Sequence, residues 1–229
     1  MGVAYHVPAR ISLARWVLRP TFRVIFRLLS NVQMRGVENI PLVGPYLIAP
    51  NHVSTFDPPV VLAFWPVAAE AVGAVEVWQR RGQSTIVRWY GAMPVRRGEY
   101  DRHTLERMLS ALASGRPLMI MPEGGRSHTP GLRRAEPGVA FLVEKTGATV
   151  VPVGVVGTTD DYLKRALRGE RPVVQIMIGS PINLPPLEGK GEARRLARQR
   201  NADLIMTRVA ALLPHEYQGI YAEPSSFSV

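Results

Sequence analysis

This chain predicts an α/β fold: a largely parallel central sheet flanked by helices, preceded by an amphipathic helical segment. Three observations carry that expectation. After residue 35, short Val- and Ile-rich runs alternate with helix-length segments, the pattern of successive βαβ units rather than of hairpins. Proline- and glycine-bearing breaks fall at the ends of the apolar runs, where open α/β sheets form their sites. Residues 1–37 hold six arginines and no acid, giving +6 of a net +10.

Taken in order, the N-terminal helix comes first. Arg15, Arg19, Arg23 and Arg27 step by four residues and form one slowly drifting basic stripe, with Trp16, Phe22, Ile25, Phe26 and Leu29 assigned to the opposite side. Pro20 predicts a kink, or two short helices with proline opening the second. Docking on the protein's own core would leave the arginines in water. The absence of acid and the aromatic content favour a membrane interface instead. Residues 1–34 are therefore read as a basic amphipathic membrane-associating segment, and 35–229 as one α/β domain.

In that domain the candidate strands are 45–50, 70–75, 91–95, 117–121, 149–155 and 173–179. Candidate helices lie near 57–65, 78–90, 101–114, 137–147, 160–168 and 191–213. Asp101 opens one of them and Gly115 closes it, a start-and-stop pair. The stretch 180–190, rich in proline, reads as a loop before the last helix.

Composition removes several classes of function. With no cysteine there is no disulfide framework, thiolate metal site or cysteine nucleophile. No pair of histidines or acids has metal-ligand spacing, so no metal is expected. No apolar run reaches the roughly 18–20 residues that span a bilayer, and Met1-Gly2-Val3-Ala4-Tyr5-His6 lacks a secretory pattern. The expected location is the cytoplasmic face of the membrane, peripheral or monotopic. The positive charge suits an anionic membrane surface or a phosphorylated substrate. Nucleic acid is not expected, because no recognition motif accompanies the charge.

Chemistry concentrates in four segments. Asn51-His52-Val53-Ser54-Thr55-Phe56-Asp57 follows an apolar run and sets a histidine five residues before a carboxylate, the arrangement of a base and its orienter. Gly91 to Gly98 delivers Arg96 and Arg97 to a strand end, where guanidinium groups suit phosphate. Pro122-Glu123-Gly124-Gly125-Arg126-Ser127 breaks an apolar strand into a glycine turn able to form a concave anion site; Glu123 there would bond an acceptor hydroxyl or brace an arginine. Val151-Pro152-Val153-Gly154 reads as a buried strand lining a pocket. His6, His103, His128 and His215 have no partner at suggestive spacing.

The order Asn-His-x4-Asp, Gly-x5-Arg, Pro-Glu-Gly-x-Arg-Ser and Val-Pro-Val-Gly, over residues 35–157, resembles the glycerolipid acyltransferases, among them the bacterial 1-acylglycerol-3-phosphate acyltransferases. The resemblance implies an α/β domain with a mixed sheet and an O-acyltransferase moving a fatty acyl group to the free hydroxyl of 1-acylglycerol-3-phosphate. It makes His52 the general base and Asp57 its charge partner. Arg97 and Arg126 would hold the acceptor phosphate in a pocket shaped by Glu123 and Gly124. Asn51, Arg96, Gly125, Ser127 and Pro152 are further candidates. Acyl-CoA or acyl carrier protein is implied as donor substrate, with no cofactor. Alternatives are another acceptor, such as glycerol-3-phosphate or a different lysolipid, and a non-catalytic lipid-binding homologue. Two departures bear on the acceptor: Gly125 stands where the family usually has threonine, and Arg96 where many members have aspartate.

Overall fold

In the computed structural model, which describes residues 5–99 and 101–223, the chain enters through one unbroken helix, Ala9–Leu29 (α1). Residues 1–4, with the Met1-Gly2 start, lie outside the described residues. The strands Asn31–Arg35 (β1), Tyr46–Pro50 (β2), Glu70–Ala74 (β3), Met93–Val95 (β4), Leu118–Met119 (β5), Thr149–Val156 (β6) and Val173–Ile178 (β7) form one sheet in the order β1-β7-β6-β2-β5-β3-β4. Each neighbouring pair is parallel except β6 with β7, so the sheet is mixed. Between and after the strands lie Asp57–Phe64 (α2), Gln83–Tyr90 (α3), Arg102–Ala113 (α4), Gly138–Thr146 (α5), Tyr162–Leu167 (α6), Gly191–Ala210 (α7) and His215–Gln218 (α8).

The period-2 alternation of the strands divides the core into two layers. Leu47, Ala49 and Val150 face one side, packed with Met108 and Leu112 of α4, Leu142 of α5 and Ile205 and Met206 of α7. Tyr46, Ile48, Val151 and Val153 face the other, packed with Phe26 of α1, Val60 and Val61 of α2 and Tyr162 of α6.

Two elements differ from the sequence expectation. β1 was not anticipated, because Asn31-Val32-Gln33-Met34-Arg35 offers only two apolar residues and sits at an edge. It pairs in register with β7, so the sheet begins before residue 35. The helix expected over 78–90 is split: Val75–Gln79 forms a tight 3-10 turn, and Gly82 at φ 77° separates it from α3.

The basic stripe on α1 is inverted relative to expectation. Arg15 lies buried, with its Nη1 and Nη2 each 2.7 Å from the oxygens of Glu70 and its Nε donating to the Tyr90 carbonyl at 2.8 Å. Arg19 donates to the carbonyls of Leu62 and Trp65, and Arg23 to that of Ala63. Those carbonyls belong to the C-terminal end of α2, where helix geometry leaves oxygens without donors and the dipole is negative. Arginines spaced by four therefore cap a neighbouring helix.

Phe22 and Phe26 flank the same inward arc, and Leu13, Trp16 and Leu28 turn outward at 62%, 75% and 70% exposure. Pro20 sits on this outward side, so the carbonyl of Trp16 loses its helical donor in an exposed position and the helix continues. Neither the kink nor the pair of short helices forms.

Glu70 also accepts from Arg116 Nε and Tyr5 Oη, each at 2.7 Å. Burial pushes its carboxyl up, but the bonds from Arg15, Tyr5 and Arg116 outweigh that and hold it below the usual range. Removing one partner of a buried ion pair strands the other's charge. Arg15→Ala is expected to lower the unfolding free energy by about 3 kcal/mol or more in urea titration, while Leu13→Ala on the outward face shifts it by less than about 0.5 kcal/mol.

Candidate functional site

Strand β2 ends at Pro50, and the next residue replaces the sheet ladder with its own side chain. The Asn51 amide accepts from the Val155 N–H at 2.6 Å and donates to the Val155 carbonyl at 2.9 Å, fully buried. This clip carries the pairing of β2 with β6 one step further and fixes where the following loop departs.

That loop folds back onto the first residue of α2. Oδ2 of the buried Asp57 accepts the backbone N–H groups of Val53 and Ser54, both at 2.7 Å, and lies 3.0 Å from His52 Nδ1. Oδ1 accepts the hydroxyl of Thr158. With its proton on Nδ1, the imidazole presents Nε2 as the basic atom, and no described residue bonds Nε2. The His52 side chain is 14% exposed, enough for one edge to meet a ligand.

The main chain of His52 is gripped on both sides by the segment after β5. Glu123 Oε1 accepts its N–H at 2.8 Å, and Ser127 N–H donates to its carbonyl at 2.9 Å. Glu123 Oε2 accepts the N–H of Arg133 at 2.9 Å. Both oxygens of Glu123 are thus engaged by backbone donors inside the protein, and the residue braces two loops. Gly124 makes the turn that brings it there, at φ 65° with its N–H on the Met121 carbonyl; a Cβ at that position would stand 2.8 Å from Cγ of Glu136.

The remaining candidates separate into those at the site and those beside it. Arg97 and Arg133 meet at Gly125, where a Cβ would stand 3.6 Å from Arg97 Cζ and 3.3 Å from Arg133 Nη1. Arg126 is mostly covered and pairs with Asp160 at 3.7 Å. Arg96 is exposed and pairs with Glu99 at 3.8 Å, away from this cluster. Ser127 donates its hydroxyl to Thr129 O at 2.7 Å. Pro152 lies buried in β6 opposite Ala49, its carbonyl accepting from Gly179 just past the end of β7. Its missing N–H points to that same side, just beyond the last residue of β7, and pairing resumes two residues back at Val150 with Ile182, so the proline costs this edge of the strand a single hydrogen bond.

Thr158 and Arg133 were not anticipated. Thr158 follows Gly157, whose φ of 92° and whose approach to Val173 O admit no side chain. The Gly157-Thr158 step at a strand end was the available signal, though no local spacing links it to Asp57.

Burial pushes the Glu123 carboxyl up to about 7, against the two backbone N–H bonds that favour its charged form. Because the folded value exceeds the unfolded one of 4.5, its contribution to stability is fully present below about pH 4.5 and is lost as pH rises through about 7. Urea titrations should therefore show wild type losing about 2.5 kcal/mol relative to Glu123→Gln between pH 5 and pH 8.

Similarity to known proteins matches this architecture. The acyltransferase family model covers residues 31–156. The lyso-ornithine lipid O-acyltransferase of Pseudomonas aeruginosa is 31% identical over 209 residues, 84% of this chain and 76% of that protein. The crystal structure of the 1-acyl-sn-glycerophosphate acyltransferase PlsC from Thermotoga maritima shares the fold, with a TM-score of 0.59 at 23% identity over 87% of this chain and 82% of that one.

Proposed function

The chain belongs to the glycerolipid acyltransferase family, and from that premise we propose that it moves a fatty acyl group from a thioester to the hydroxyl of a lysolipid whose headgroup carries a phosphate or a carboxylate, with His52 as general base. The observation that carries the reading is the ring of His52, held at Nδ1 by buried Asp57 and open at Nε2. Nε2 takes the proton of the acceptor hydroxyl as its oxygen attacks the thioester carbonyl. Asp57 stabilises the resulting imidazolium. When the C–S bond breaks, the same proton passes to the departing thiolate, leaving an ester and a free thiol. No acyl-enzyme is needed: Ser54 Oγ accepts from Phe56 N–H and Ser127 Oγ donates to Thr129, so both hydroxyls are engaged locally.

Lyso-ornithine lipid is the first acceptor we assign, because the relative bearing that name matches most of both chains. The expected 1-acylglycerol-3-phosphate is the second reading, favoured by the guanidinium groups of Arg97 and Arg126 beside the turn of Gly124 and Gly125. Either acyl-CoA or acyl carrier protein supplies the thioester. Thiol release from acyl-CoA in the presence of each acceptor separates the readings; absence of release with every acceptor would favour the non-catalytic lipid-binding alternative. His52→Ala should lower kcat by about 10³ with unchanged thermal unfolding. Thr158→Val should lower it about tenfold, because one oxygen of Asp57 is left without its donor.

We also propose that the outward face of α1 rests on the membrane surface. Leu13, Trp16, Val24 and Leu28 are exposed there, and Trp89 of α3 is 60% exposed beside a groove of about 1620 Å³ that Leu13 and Val17 also line. Among the described residues, no helix is long and apolar enough to cross a membrane. Because Arg15, Arg19 and Arg23 are engaged internally, attachment rests on apolar partition more than on charge. In vesicle flotation, the triple change Leu13→Ser, Trp16→Ser and Leu28→Ser should release most of the protein, while 1 M salt releases little.

A further inference from the structure

We propose that Arg133 is a third headgroup-binding cation, and that Gly125 is the gap that admits it to the acceptor's anionic group. The inference rests on the site being an acceptor pocket and extends it to Arg133, a residue outside the four sequence segments.

The placement of Arg133 is built rather than incidental. Its own N–H is held by Glu123 Oε2 at 2.9 Å. The preceding Leu132 donates to Tyr217 O at 3.0 Å and accepts from Ile220 N–H at 3.3 Å. Ala135 N–H donates to Tyr221 Oη at 3.0 Å, and that hydroxyl in turn donates to Asp203 at 2.7 Å. The backbone on both sides of Arg133 is therefore pinned by the C-terminal elements, which fixes where its side chain starts.

From there the guanidinium reaches back over the Glu123 turn. Its Nη1 donates to the carbonyl of Arg126 at 3.3 Å and lies 3.3 Å from where a Cβ of residue 125 would stand, with Arg97 Cζ 3.6 Å from the same point. Among the described residues, no carboxylate oxygen lies within 4.0 Å of the guanidinium nitrogens of either Arg97 or Arg133; Glu123 meets Arg133 only at its backbone N–H. Two guanidinium groups meeting at one point without a counter-ion repel each other, and a bound phosphate or carboxylate relieves that repulsion. The neighbouring Arg134 points elsewhere, toward Asp203 at 3.5 Å. Gly125 has an ordinary negative-φ backbone, so its lack of a side chain answers to space and not to conformation. A branched residue there displaces the flexible end of Arg133 without straining the chain.

The test uses equilibrium binding of short-chain acceptors below their micelle concentrations, alongside turnover. The acceptors are 1-acylglycerol-3-phosphate, lyso-ornithine lipid and neutral monoacylglycerol. Arg133→Gln should weaken binding of one or both acceptors that carry an anionic group at least tenfold, with monoacylglycerol and the KM for acyl donor changed less than twofold; which of the two responds tells phosphate from carboxylate. Gly125→Thr should produce a loss of similar size, and adding it to Arg133→Gln should cost nothing further, because the two changes remove one interaction. Arg134→Gln, one residue away with the same loss of charge, should bind like wild type. Unchanged anionic binding in Arg133→Gln would overturn the proposal, as would additive losses in the double variant or a rise in donor KM in place of acceptor affinity. Wild type that binds in this pattern yet releases no thiol would sink the acyltransfer reading and leave this inference standing.

Discussion

The site depends on one buried carboxylate. Asp57 is fully removed from solvent, and its two oxygens collect four donors: the N–H groups of Val53 and Ser54, the imidazole of His52 and the hydroxyl of Thr158. An uncompensated charge in that position would be prohibitively costly, and the donors that compensate it come from two distant parts of the chain. Three lie in the loop leaving β2; the fourth lies just beyond β6. The parallel pairing of β2 with β6, extended by the Asn51 amide, is what brings them within reach. The sheet order thus has a direct chemical outcome: exchange the neighbours of β2 and Asp57 loses a partner.

A second buried charge organises the opposite end of the sheet. Glu70 at the start of β3 draws Arg15, Arg116 and Tyr5 together and thereby fixes which face of α1 turns inward. Amphipathicity alone would bury the apolar side and leave the arginines in water. Here the acceptor carbonyls at the end of α2 and the Glu70 carboxylate make the basic arc the better inward face, with Phe22 and Phe26 beside it packed against each other and, through Phe26, against Tyr162.

Much of the fold was legible in residue pattern, and what escaped did so for identifiable reasons. The six candidate strands all appear, because Val- and Ile-rich runs bounded by glycine and proline are a local signal. β1 escaped because an edge strand buries little and so carries few apolar residues. The orientation of α1 escaped because the arginine spacing is equally compatible with water, lipid or carbonyl partners; only tertiary contacts decide. At the site, His52 and Asp57 were legible because they sit five residues apart in one segment. Arg97 and Arg126 were visible as arginines at strand ends, but nothing local says that Arg97 converges on Gly125 while adjacent Arg96 does not. Thr158 and Arg133 join the site over sequence separations of 101 and 10 from the carboxylates that hold them, and no periodicity reports such contacts.

Glu123 holds two loops, and the way it does so has an evolutionary consequence. It touches only main-chain N–H groups, that of His52 on one oxygen and that of Arg133 on the other. Main-chain donors are the same whatever side chain they carry. Residue 133 can therefore be exchanged across generations without moving the main chain of His52, and residue 125, which makes room beside it, can drift in step. On the proposed reading, the His52–Asp57 pair would keep its place while the side chains that meet the acceptor change, so a lineage could alter its lipid and leave that pair undisturbed.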